Sequence, residues 1–157
     1  MSTAEKPQIL ILDDEKNIVF VIQAMLEKAG YNVVALNDSG IAIEKITSGS
    51  LGNLATVITD LHMPGPSGMD ILQHCQKHIP ETPVVIITAY GSVEAAVSAL
   101  KRGAFDFITK PFDQTELLMV VEKAVGTYAR RVKEPRPISE EPVQGEPKLT
   151  VESMVGN

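Results

Sequence analysis

Short apolar runs alternate along this chain with longer stretches of helical period. The runs "ILILD" (9–13), "NVVAL" (32–36), "ATVITD" (55–60), "PVVIITA" (83–89) and "FDFIT" (105–109) read as strands. The first, third and fourth are apolar almost throughout, as parallel strands covered on both faces should be. Between them the period lengthens. Ile18, Ile22, Met25, Leu26 and Ala29 mark one face of a first helix, and Gly30 is placed to end it. A second starts at Ser39 or Gly40 and runs through Ile46, and a third covers 68–78. Val93, Ala96, Val97 and Leu100 stripe a fourth. The fifth opens on Asp113 with Glu116 at capping-box spacing, and Leu117, Val120, Val121, Ala124 and Tyr128 carry it to about Arg131.

Five βα units in a row predict an α/β fold, a parallel sheet with helices on both faces. Strand order does not follow from the pattern alone. Residues 1–6 read as an N-terminal extension and 7–132 as the folded domain. From 133 to 157 the chain turns proline-rich, charged and aperiodic ("KEPRPISEEPVQGEPK"), which reads as a linker or tail.

In an open parallel α/β sheet, ligands bind beyond the carboxyl ends of the strands. Asp13 and Asp14 end the first strand, Asp60 the third and Thr88 the fourth, with Lys110 just past the fifth. Singly, each has an ordinary reading: an Asp after a strand caps a helix or makes an Asx turn, and a Thr or Lys there is solvated. Jointly they place three carboxylates, a hydroxyl and an ammonium on one rim. Two carboxylates about 4 Å apart repel by roughly 4 kcal/mol at an effective dielectric of 20, so three together call for a cation. Few carboxylates with room for waters suit Mg²⁺ better than Ca²⁺.

In combination, "DD" after strand one, "DLHMPGPSG" after strand three, "TA" after strand four and "KPF" after strand five resemble the receiver domain of two-component response regulators, over about residues 7–130. The stretch "AYGSVEAAVSALKRGAFDFITKPF" is most similar to receivers of the nitrogen-regulation class, which control sigma-54-dependent transcription activators. The resemblance implies a flavodoxin-like sheet of order 2-1-3-4-5. It makes Asp60 the acceptor of a phosphoryl group from a sensor histidine kinase. Asp14 and Asp60 would then ligate Mg²⁺, Asp13 would act through water, and His62 would offer its backbone carbonyl. Thr88 would bond the phosphoryl group and Lys110 would form its ion pair, aimed by a cis Lys110–Pro111 peptide. Phe107 falls at the family's switch aromatic, where an ordinary core aromatic is the alternative. Tyr90 lies in the loop that would gate the site. Phosphorylation would alter the face of helix four, strand five and helix five, and with it a homodimer.

Composition narrows this reading without changing it. A net charge of −6 argues against nucleic-acid or membrane binding by this chain. The single cysteine, Cys75, excludes an internal disulfide, and "MSTAEKPQ" lacks a signal pattern, so a cytoplasmic location is expected. His74 and His78 flank Cys75 at a spacing that could bind zinc, but no further ligands cluster with them, and a solvated helix face is the simpler expectation. Lys101 and Arg102 read as solvent-facing. Two other functional classes share such a fold. A flavodoxin needs a Ser/Thr/Gly-rich phosphate loop where this chain has "DDEKN", and a haloacid-dehalogenase-like phosphatase needs Asp-x-Asp where it has Asp60-Leu61-His62. A pseudo-receiver that only binds a partner is a third alternative, set against five filled site positions.

Overall fold

A computed structural model describes residues 6–89 and 93–133. Strands β1 (Gln8–Leu12), β2 (Asn32–Leu36), β3 (Thr56–Asp60), β4 (Val84–Thr88) and β5 (Asp106–Thr109) alternate with helices α1 (Lys16–Lys28), α2 (Ser39–Ser48), α3 (Gly68–His78), α4 (Val93–Lys101) and α5 (Gln114–Lys133). The sheet is parallel throughout and its order is β2-β1-β3-β4-β5.

Alternation along the central strands divides the core in two. Leu10, Leu12, Val57, Val84 and Ile86 face one side, packed with Ala42 and Ile46 of α2, Ile71, Leu72 and Cys75 of α3, and Ala99 of α4. Ile9, Ile11, Ile58, Val85 and Ile87 face the other, against Ile22 and Leu26 of α1 and Leu117, Val121 and Ala124 of α5. Each Val, Leu and Ile among them contributes about 1.5–3 kcal/mol by leaving water.

The element boundaries depart from the periodicity where polar groups intervene. Asp13 lies beyond β1, because its Oδ1 accepts from the backbone N–H of Glu15 at 2.9 Å and turns the chain into α1. Ala29 is the exposed C-cap of α1, and Val19 takes its place on the buried face. The second helix runs past Ile46 to Ser48, where Gly49 caps it at φ +77°, a left-handed conformation that glycine adopts without strain. The fifth continues through Lys133, two residues short of the first helix-breaking proline at 135. Asp113 Oδ1 accepts from Glu116 N at 2.7 Å, as its spacing predicts, and Ser67 with Asp70 closes a capping box on α3.

The larger correction concerns α4. Of the striped positions Val93, Val97 and Leu100 are 48%, 39% and 37% exposed, and the helix buries Ala96 together with Ala99, which the stripe did not include. Small residues let this helix sit close on the sheet, which turns its aliphatic edge outward. Lys101 and Arg102 are exposed as expected. His74 is only half-solvated: its Nδ1 is buried without a hydrogen-bond partner among the described residues, and its ring stacks on exposed His78 with centroids 6.0 Å apart. Burial pushes the neighbouring Cys75 thiol up to about 12, leaving it an inert packing group.

Candidate functional site

The order β2-β1-β3 makes the carboxyl ends of β1 and β3 the point where the chain changes direction across the sheet. Asp13 and Asp14 leave β1 there, Asp60 ends β3, and one carboxylate oxygen from each lies within 4.8 Å of the others. Asp13 is fully buried, Asp60 is 7% exposed and Asp14 opens to solvent. The register pairs Asp60 with Ile87, so Thr88 stands one residue further along the adjacent strand.

Asp60 is held by its own neighbour: its Oδ1 accepts from the Leu61 N–H at 2.8 Å. Lys110 Nζ lies 3.7 Å from its other oxygen, 3.1 Å from Asp13 Oδ2 and 3.6 Å from Glu15 Oε1. Lys110 is itself anchored through its backbone N–H, which donates to the Thr88 carbonyl at 2.8 Å, and the Lys110–Pro111 peptide is cis. The Thr88 hydroxyl is buried and has no hydrogen-bond partner among the described residues.

Electrostatics follow from this crowding. Burial raises the Asp60 carboxyl to about 6, the Asp13 charge adds to the rise, and Lys110 and the Leu61 N–H oppose it. Burial likewise lifts Asp13 above the ordinary carboxylate range, against the Glu15 N–H and Lys110. Burial pulls the Lys110 ammonium down, but Asp13, Asp60 and Glu15 outweigh it and raise its pKa. One ammonium thus faces more carboxylate charge than it can neutralise. A hard divalent cation fits the remainder: the donors are all oxygen, few in number and open on the Asp14 side, as Mg²⁺ requires.

A search against known families matches the response regulator receiver domain to residues 9–122. The chain belongs to that family. It is 37% identical over 125 residues to the nitrogen assimilation regulatory protein NtrX of Azorhizobium caulinodans, covering 78% of this chain and 27% of that protein. It is 33% identical over 128 residues to the DNA-binding transcriptional regulator NtrC of Escherichia coli K12, covering 82% of this chain and 26% of that one. Among solved structures, a response regulator receiver domain protein from Clostridium thermocellum superposes with a TM-score of 0.73 at 32% identity, covering 81% of this chain and 98% of the other. NtrX from Brucella abortus does so with a TM-score of 0.75 at 33% identity, covering 85% of this chain and 31% of that one. The receiver thus spans about a quarter of the curated NtrX and NtrC relatives.

Of the residues singled out from sequence, Asp13, Asp14, Asp60 and Lys110 meet at one point, and Thr88 stands on the adjoining strand. His62 is exposed in the loop two residues beyond Asp60. Phe107 is half-buried and packs inward against the α2–α3–α4 side of the core. Tyr90 lies outside the described residues. Three contributors were not singled out for the site. Glu15, the third acid of "DDEK", is a further partner of Lys110. Gly68 has no room for a side chain, since a Cβ there would stand 2.4 Å from the Asp60 carbonyl oxygen. Ser39, named only as a helix start, donates to the Pro64 carbonyl at 3.3 Å.

Proposed function

We propose that this chain is a phosphorylation-operated switch whose only chemistry is on itself. Asp60 takes the phosphoryl group of a phosphohistidine on a sensor histidine kinase: an Asp60 carboxylate oxygen bonds to phosphorus as the phosphorus–nitrogen bond breaks and the histidine keeps the electron pair. Water later attacks the acyl phosphate and releases inorganic phosphate. The observation that carries this reading is the convergence of a buried, charge-strained Asp60 with Asp13, Asp14 and Lys110, beside a buried hydroxyl that lacks a partner among the described residues.

Phosphoryl transfer asks mainly for alignment and neutralised charge. The Leu61 N–H orients the Asp60 carboxylate, and Lys110 stands ready to leave Asp13 for the incoming oxygens. Thr88 gains in that state the hydrogen bond it otherwise lacks. Asp14 and Asp60 would hold Mg²⁺ by carboxylate, with Asp13 through water and His62 through its backbone carbonyl. When bound, the ion supplies charge neutralisation.

The outcome is relayed through α4, β5 and α5. Movement of Thr88 toward the phosphoryl group gives Phe107 a second packing position, a two-state element of the kind that a local charge change can bias. The exposed Val93, Val97 and Leu100 of α4 and Met119 of α5 supply an apolar surface for a homodimer. Resemblance to NtrX and NtrC supports a transcriptional, sigma-54-linked output, with the run after α5 as the linker toward it. The net charge of −6 supports no direct DNA contact by this chain. Among the described residues no helix is long and apolar enough to cross a membrane, and a cytoplasmic location agrees with the single cysteine.

Intact-mass measurement after exposure to a small phosphodonor with Mg²⁺ tests the reading. One phosphate is expected on the wild type and none on Asp60→Asn. Equal labelling of that variant would overturn the assignment of Asp60.

A further inference from the structure

We propose that Ser39, on a strand–helix junction remote in sequence, is a positioning residue for the loop that follows Asp60. The proposal rests on the metal-dependent reading above, because that loop carries the His62 carbonyl.

Ser39 is the first residue of α2 and only 3% exposed. Its hydroxyl is not needed to cap that helix. Asp38 already does so, accepting from the Ile41 N–H at 3.0 Å. The Ser39 Oγ instead donates across 25 positions to the carbonyl of Pro64. Ser39 follows β2 and Pro64 follows β3, and these two strands are not neighbours, since β1 lies between them. The bond therefore links the segments that follow β2 and β3, the strands on either side of the one from which Asp13 and Asp14 emerge.

Met63 of the loop packs against the core, and its backbone is pinned at two further points. At its base the Gly68 N–H donates to the Leu61 carbonyl at 2.8 Å, and the missing Cβ of Gly68 lets α3 press on the Asp60–Leu61 backbone. At its tip Gly65 turns at φ +78°, with Ser39 Oγ the nearest atom a Cβ would meet, at 3.8 Å. Base and tip are thus fixed by different elements, and Ser39 supplies the tip. Loss of its hydroxyl leaves the Pro64 carbonyl free to swing, and with it the backbone two residues upstream.

Calorimetric titration of Mg²⁺ into the full chain, with amide exchange on the metal-free protein, tests this. Ser39→Ala should weaken Mg²⁺ binding about tenfold, as loss of an outer-shell partner does, while Ser39→Thr, which keeps the hydroxyl, recovers most of the affinity. Exchange at the His62, Met63 and Gly65 amides should quicken in Ser39→Ala with the strands unaffected. Gly68→Ala, which acts at the other anchor, should also weaken Mg²⁺ binding. A purely structural role for Ser39 would lower stability equally with and without Mg²⁺ and leave the dissociation constant alone, and that result would overturn the proposal. A wild type that binds no Mg²⁺ would instead overturn the metal reading, and this is seen before any substitution is made.

Discussion

The two ends of the sheet treat their buried polar side chains in opposite ways. At the amino end every strand is tied off. Ala55 N donates to Gln8 O, Asn32 N to Pro7 O, Val57 N to Pro83 O and Phe105 N to Val84 O. The Thr82 hydroxyl, also buried, donates to Leu54 O at 2.6 Å, and Arg131 reaches from α5 to the Glu81 carbonyl at 3.3 Å. At the carboxyl end, buried Thr88 has no partner among the described residues, and the carboxylates of Asp13, Glu15 and Asp60 share one ammonium. Buried polar groups in folded proteins are normally satisfied, so the end left wanting is the one whose partners arrive from outside. One end stabilises the fold, and the other, on the proposed function, stores unmet demand for a cation and a phosphoryl group.

The sharpest way to separate the ends is to remove that demand. A carboxyl whose folded pKa is raised to about 6 contributes stability that is complete below its unfolded value and lost as pH rises through about 6. Metal-free wild type should therefore lose on the order of 2–3 kcal/mol relative to Asp60→Asn between pH 4 and pH 8. Urea denaturation of both proteins across that range measures the difference. Lys110→Ala acts in the opposite direction. It strands two buried carboxylates, and should destabilise the metal-free protein by about 2 kcal/mol at pH 8, less than for a fully buried pair because the ammonium is partly wet. The loss should shrink at pH 5, where the carboxyls take up protons.

A matched pair of threonines sharpens the comparison further. Thr82→Val at the satisfied end should cost about 1–2 kcal/mol in urea denaturation and leave phosphodonor labelling intact. Thr88→Val at the unsatisfied end should leave stability nearly unchanged, because no hydrogen bond is lost, yet slow labelling. Equal stability losses at the two sites would erase the distinction. The smallest effect is expected on α4, where Val97→Ser and Leu100→Ser should alter stability by less than about 0.5 kcal/mol each but weaken self-association in light scattering.

How far the sequence reveals all this varies with the kind of contact. Asp60, Thr88 and Lys110 are legible because a polar residue closing an apolar strand is conspicuous, and a parallel sheet brings all such ends to one edge. The third helix is legible to the residue, from Gly68 to His78. The α4 stripe was legible only in part, because periodicity identifies an apolar face without saying what covers it. Ala96 of that stripe is buried, whereas Val93, Val97 and Leu100 are exposed and Ala99, outside it, is buried. Ser39 and Gly68 were not legible as site residues either. Their roles depend on backbone they meet only in three dimensions, at Pro64 and at Asp60.

On the proposed function, Asp13, Asp14 and Asp60 are held together against their own repulsion for a divalent cation. Melting the metal-free protein with and without Mg²⁺ tests it most directly. The wild type should gain about 2.7 kcal/mol when Mg²⁺ is at one hundred times its dissociation constant, and Asp14→Ala should lose that gain. A wild-type melting temperature indifferent to millimolar Mg²⁺ would contradict the claim.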